Sequence, residues 1–316
     1  MSSQRRQRGA TIAELMVASA VGALAMLMAA ALLASANAAY VAQVDSAALD
    51  DGGRYALEII ARAARQAAFV NWEREEAGPD QGAAPAPVGG LDARTLSRGA
   101  DGIAKPLADA VNGSDVLAVR FAGAGAAPGG DGSVTSCAGF GVGAQDDGWS
   151  IFYVGRNAGG EAELRCKYRG KSSWGADAVI GGVDSFQVLY GLDTDSPADG
   201  VANEYVSASV LDELDAALVL AAADPAARER EFRRRTHWKR IAGIRVALVV
   251  HGPRRVRPDA EPMVFDLFGR AYSDRFGGAD RGVHLSEEQM PEELRRRERR
   301  MFASTVALRN PSAGAP

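Results

Sequence analysis

An apolar run of about 25 residues, beginning directly after Gly9, limits this chain more than any other feature. Arg5, Arg6 and Arg8 precede it, and one carboxylate, Glu14, stands inside it. A run of that length can cross a bilayer as a single helix. A charge near the middle of a bilayer costs at least about 2.5 kcal/mol, so Glu14 is a functional residue by default. With the basic leader inside, everything after about residue 38 lies outside the cytoplasm. Two plainer readings compete. One is a secretory signal cleaved after Ala34-Ser35-Ala36 or Ala36-Asn37-Ala38. The other is an uncleaved anchor. The run is longer than the roughly 7 to 15 apolar residues of a secretory signal, and neither reading accounts for Glu14.

The rest of the chain is rich enough in Val, Leu, Phe, Tyr and Trp for a folded core. Formal net charge is −4, so no global basic field draws nucleic acid. The two cysteines, Cys137 and Cys166, form an even pair in an oxidising compartment, which reads as one disulfide. It would close a loop of about 30 residues and contribute about 3 kcal/mol. Two separate buried thiols are the alternative. Neither cysteine has the spacing of a metal site.

Periodicity divides the chain. Residues 10–36 predict a membrane helix, and 37–70 an amphipathic continuation ending near Phe69, with a weak point at Gly52-Gly53. Leu57, Ile60, Ala64 and Ala67 share a core stripe, whereas Arg54, Glu58, Arg62 and Arg65 share a polar one. Residues 71–316 predict a strand-rich head. From Gly78 to Gly113 the sequence is loop-like. Strands are expected at Val116 to Phe121, Ser150 to Val154, Glu163 to Tyr168, Val183 to Tyr190, Ile241 to Val250, Met263 to Leu267 and Thr305 to Leu308. Asn157-Ala158-Gly159-Gly160 reads as a hairpin turn. Two inserted helices are expected, at 211–235, broken near Pro225, and at 287–300, started by Ser286 and Glu288. The run from Arg295 to Arg300 then reads as a solvated helical face.

Catalytic motifs are missing. His237, His251 and His284 match no zinc pattern and read as surface or edge residues. Gly170-Lys171-Ser172 lacks the leading glycine of a phosphate loop, since Arg165 stands there. There is no GxSxG and no recognisable Ser-His-Asp set. The expectation is a protein with no enzymatic role and no cofactor. One candidate ligand group exists: Asp193, Asp195 and Asp199, with Asn203 and Glu204 close behind, offers oxygens for calcium. Glu204 falls at position twelve counted from Asp193, but Pro197 and Ala198 occupy positions five and six. A polar surface turn is the other reading.

The segment Arg6-Gln7-Arg8-Gly9-Ala10-Thr11-Ile12-Ala13-Glu14 resembles the class III signal of type IV pilins. Ala10 and Ala13 stand where that family usually carries Phe and a larger apolar residue. The resemblance implies cleavage between Gly9 and Ala10 by a prepilin peptidase, N-methylation of Ala10, and pairing of Glu14 with the amino terminus of a neighbouring subunit. Further along, Asp51 to Leu57 with Arg62 and Arg65, Val183 to Asp195, Trp238 with Ile241 to Val250, and Phe302 to Asn310 resemble, in order, segments of the PilW group of minor pilins. That likeness implies an α+β, pilin-like fold, with a long N-terminal helix packed on an antiparallel sheet with extended loops. It implies a structural role: priming pilus assembly from the inner membrane, single-pass with a periplasmic head, and then a place at the pilus tip on the cell surface. Partners would be other minor pilins, the major pilin, a tip adhesin and the inner-membrane assembly platform. A minor pseudopilin of type II secretion, of the J class, is the nearest rival. An exported binding protein or enzyme with a cleaved signal is the rival from another class.

Overall fold

A helix rich in Ala, Leu and Met and free of proline runs unbroken over Ile12–Arg65 (α1) in the computed structural model, which describes residues 9, 11–67, 84–126, 129–255 and 261–309. It closes with three-residue bonds, Gln66 N to Ala63 O and Ala67 N to Ala64 O, that tighten its last turn. The chain forms two units, Met1–Ala48 and Leu49–Pro316.

From Ile12 to Tyr40, in the first unit, the side chains of α1 are exposed on every side: Ile12 is 80% exposed and Leu33 72%. In the second unit, Leu49, Gly53, Ala56, Ile60, Ala63 and Ala64 are buried at helical spacing, and Leu57 lies half-buried beside them. The Gly52-Gly53 pair is not a break. Gly53 is where Phe302 packs against the helix: a methyl group there would collide with the ring. Small size at this site serves packing.

The head unit contains β1 (Val88–Leu91), β2 (Thr95–Leu96), β3 (Pro106–Leu107), β4 (Val116–Ala122), β5 (Asp147–Arg156), β6 (Ala162–Arg169), β7 (Trp174–Gly181), β8 (Val183–Leu192) and β9 (Glu204–Val206). Helices α2 (Ala208–Ala216) and α3 (Pro225–Arg235) follow. Then come β10 (Ile241–Arg255), β11 (Val264–Asp266), α4 (Arg270–Phe276), β12 (His284–Ser286) and β13 (Arg297–Ala307). One antiparallel sheet has the order β1-β4-β5-β6-β7, the other β13-β10-β8-β9; β11-β12 and β2-β3 form small pairs. The class is α+β.

Period-two alternation sorts side chains between layers. On β10, Ile244, Val246, Leu248 and Val250 enter the central core with the second-unit part of α1. Ala247 and Val249 point the other way, onto Phe265, Leu267, Leu285 and Met290. On β4, Leu117, Val119 and Phe121 face the central core, and Val116 and Ala118 face Leu96, Ile151 and Tyr153. Both large sheets are therefore covered on two faces, which explains why every residue of β8 is buried. The β5–β6 hairpin turns where expected, with Asn157 Oδ1 accepting from Gly159 and Glu161 N–H. Cys137 and Cys166 are joined as a disulfide with Cα atoms 5.9 Å apart, tying the segment before β5 to β6.

Several elements differ from expectation. Residues 287–300 are not a helix. Two short 3-10 turns, Glu287–Gln289 and Glu292–Leu294, flank Pro291, and β13 begins at Arg297. Proline breaks the helical ladder, and Arg299 must reach a buried carboxylate that a helix would not face. The 211–235 insertion is two helices, and Pro225 opens α3 instead of interrupting one helix: Asp224 caps it by accepting from Ala227 N–H at 2.8 Å. The stretch 78–113 contains β1, β2 and β3, and β7, β9, α4 and β12 fall outside the expected elements. Phe69 lies outside the described residues.

Candidate functional site

The start of α1 is built by Thr11 and Glu14. Thr11 carbonyl accepts the first helical bond, from Leu15 N–H at 3.1 Å. Thr11 Oγ1 accepts from Glu14 N–H at 3.2 Å, and Glu14 Oε2 accepts from Thr11 N–H at 2.9 Å and from its hydroxyl at 3.1 Å. This is a reciprocal capping box, legible in the sequence as Thr-x-x-Glu. It fixes the carboxylate at the helix N-terminus, where the dipole favours negative charge. Gly9 is exposed at this end; Ala10 lies outside the described residues. From here α1 is long and apolar enough to cross a membrane. Its one early hydroxyl, Ser19, is satisfied by donating to Met16 O at 2.9 Å. A helix apolar around its whole circumference requires lipid or other apolar helices around it.

The acidic loop after β8 brings together three of its four expected ligands. Carboxylate oxygens of Asp193, Asp195 and Asp199 lie within 4.8 Å of one another, and Glu204, on β9, is not among them. Asp193 accepts from Asp195 N–H (3.0 Å) and Gly200 N–H (2.7 Å), and Asp199 from Val201 N–H (2.8 Å). Asn203 donates to Asp195 Oδ2, and Arg240 donates to the Asp195 carbonyl. Desolvation opposes ionisation of Asp193, but the Gly200 and Asp195 N–H groups and Arg240 outweigh it and lower its pKa. These donors hold the loop as a polar turn. Glu204 stands apart, and the three clustered carboxylates carry oxygens of the kind calcium takes.

A further set of buried charges lies outside this loop and carries no motif in the sequence. Arg299 donates through Nε to Asp184 Oδ2 and through Nη1 to Glu287 Oε1, each at 2.7 Å, and also to the Leu294 carbonyl. Glu287 also accepts from Met263 and Arg296 N–H groups. His251, expected at the surface, is only 5% exposed. Its Nδ1 lies 3.0 Å from Asp184 and its Nε2 2.6 Å from Glu161, which also accepts from Arg297. Hydrogen bonding to His251, more than Arg297, lowers the Glu161 pKa. The network joins β8, β10 and β13 to the segment around Glu287. The remaining histidines are held the same way, His237 by Asp215 and His284 by Asp266, each at 2.7–2.8 Å. Among the described residues none of the three bonds to a serine or cysteine side chain, so no nucleophile–base pair is formed.

Two further ionisable groups are buried beneath loops. Lys167 donates to the carbonyls of Ser97 and Gly102 beneath Trp174, and burial lowers its pKa. Asp280 accepts from the Tyr272 hydroxyl at 2.9 Å while Oδ1 has no partner; burial pushes its pKa up to about 6.

Residues 151–310, half of the chain, match the family model of type IV pilus-assembly protein W (PilW). Residues 4–30 match the model of the prokaryotic N-terminal methylation motif. Among solved structures the chain is similar to a type IV-like pilin from Thermus thermophilus. The identity is 12%, the alignment covers 84% of this chain and 98% of that one, and the TM-score is 0.39. No curated protein sequence matches.

Proposed function

This chain belongs to the type IV pilus-assembly protein W family, and from that premise we propose that it works as a minor pilin that primes pilus assembly and sits at the tip. It is made as a prepilin, cleaved between Gly9 and Ala10, methylated at Ala10 and held in the inner membrane by α1 with its head outside the cytoplasm. One observation carries this reading. Between Ile12 and Tyr40 the only charged residue is Glu14, on a helix whose large apolar side chains are exposed. Alanines and Gly22 along this helix suit close packing against like helices. A carboxylate buried in such a bundle needs a cation, and the new amine of a neighbouring subunit supplies one. The capping box supports this by holding Glu14 at the very start of the helix. Partners on this reading are other minor pilins, the major pilin, a tip adhesin, the prepilin peptidase and the assembly platform. The protein's role is structural rather than catalytic.

Two substitutions separate pairing from capping. Glu14→Ala removes both charge and cap. Glu14→Gln keeps the cap, since glutamine serves at that position, and removes only the charge. Both variants are expected in the membrane fraction at normal levels and depleted from sheared pili. If Glu14→Gln enters pili as wild type does, the pairing role fails and the residue is only a cap. Impaired type II secretion in the Glu14 variants, with piliation unaffected, would favour the pseudopilin reading.

A further inference from the structure

A cavity of about 350 Å³ opens between β12 and the segment 108–113 of the head. One wall is formed by Ala108, Ala110 and Asn112, the other by Arg281, His284 and Ser286. The walls meet where Gly282, at φ 96°, lies against the carbonyls of Asn112 and Gly113, leaving no room there for a side chain.

The hydrogen-bond phase of β12 decides what faces the cavity. Leu267 N–H donates to Val283 O, and Glu287 N–H to Met263 O. Residues 283, 285 and 287 therefore point their backbone groups at β11, and His284 and Ser286 point theirs away from it. Among the described residues, neither the His284 nor the Ser286 N–H donates to any group. That leaves an unpaired strand edge along a cavity, the arrangement that accepts an added strand. Its charge has one sign. Arg281 has no ion-pair partner among the described residues, and no carboxylate lines the cavity. His284 Nδ1 lies 2.8 Å from Asp266, so the imidazole is already committed to a carboxylate and Arg281 is the cation the cavity offers.

We infer that this cavity receives an extended, acidic peptide segment of a partner protein, which adds to the edge of β12 and sets a carboxylate against Arg281. Backbone pairing with His284 and Ser286 supplies the register, and the charge-assisted bond to Arg281 supplies selectivity. The contact is separate from the helix surface of α1, so it stands whether or not Glu14 pairs as proposed.

The test uses the full chain in detergent micelles and the peptide acetyl-Val-Glu-Val-Glu-Val-amide. Controls are its glutamine counterpart, the acidic peptide with alternate backbone nitrogens methylated, and acetate. The acidic peptide is expected to bind saturably and to slow hydrogen exchange at the His284 and Ser286 amides. The glutamine peptide should bind about tenfold more weakly, and Arg281→Gln should weaken the acidic peptide about tenfold while leaving the glutamine peptide unchanged. The methylated peptide should give no protection. Equal binding of acidic and neutral peptides, binding without protection of β12, protection by acetate alone, or no saturation at millimolar peptide would each overturn the proposal.

Discussion

Replacing Arg299 by methionine should unfold the head far more readily than any other single arginine change in the 295–300 run. The Arg299 side chain is fully buried, and its partners Asp184 and Glu287 are 2% and 4% exposed. Methionine keeps the apolar stem but leaves two buried carboxylates without their shared cation. Breaking a buried pair by removing one partner costs about 3–5 kcal/mol. For a domain of this size each kcal/mol lowers Tm by about 2–4 °C, so the expected drop is roughly 6–20 °C. Thermal unfolding of the full chain in micelles, followed by near-ultraviolet dichroism and tryptophan fluorescence, measures it. Arg228→Met, on the exposed face of α3, is the control and should stay within about 0.5 kcal/mol. Adding Asp184→Asn to Arg299→Met should recover part of the loss, because one stranded charge is gone. A loss below about 1 kcal/mol for Arg299→Met would refute the network as a structural clamp and return the arginine run to a solvated face.

Asp280 gives a pH-dependent counterpart. Its folded pKa, raised to about 6 by burial, lies above the value of an unfolded aspartate, so its stabilising contribution is present below about pH 4 and is lost as pH rises through 6. Asp280→Asn should therefore raise stability at pH 7 by about 3 kcal/mol and have little effect at pH 4; equal effects at both values would count against a buried Asp280 that holds its proton up to about pH 6. Opening the Cys137–Cys166 bridge by a double Ser substitution should cost about 3 kcal/mol, read as a shift in urea midpoint that reductant reproduces in the wild type. A midpoint unchanged by reductant would mean that the bridge does not constrain the unfolded chain.

Local chemistry made much of this molecule readable. Helix α1 followed from its composition, β10 from alternation of Ile244, Val246, Leu248 and Val250, and the β5–β6 hairpin from Asn157 to Gly160. The cysteine pair followed from number and compartment. What failed depended on partners distant in sequence. Residues 287–300 carry a helix-like charge pattern, yet Pro291 and the pull of Asp184 on Arg299, 115 residues away, impose turns and a strand. His251 looked like an edge residue because its two carboxylates come from other strands. Gly53 looked like a helix defect because Phe302, its reason for being small, is near the other end of the chain. Strand β7 was missed because its apolar positions are interrupted by Gly175, Asp177 and Gly181. The capping role of Glu14 was legible as Thr-x-x-Glu but is compatible with a functional role, which is why Glu14→Gln matters.

The most direct test is the intact mass and N-terminal fragment series of the protein purified from pili of cells carrying their own prepilin peptidase. A chain beginning at N-methylated Ala10 is the expected result. A chain that keeps its first nine residues, or one that starts at residue 37 or 39, in cells that build normal pili would contradict the claim that α1 enters the fibre by pairing Glu14 with a neighbour's freed amine.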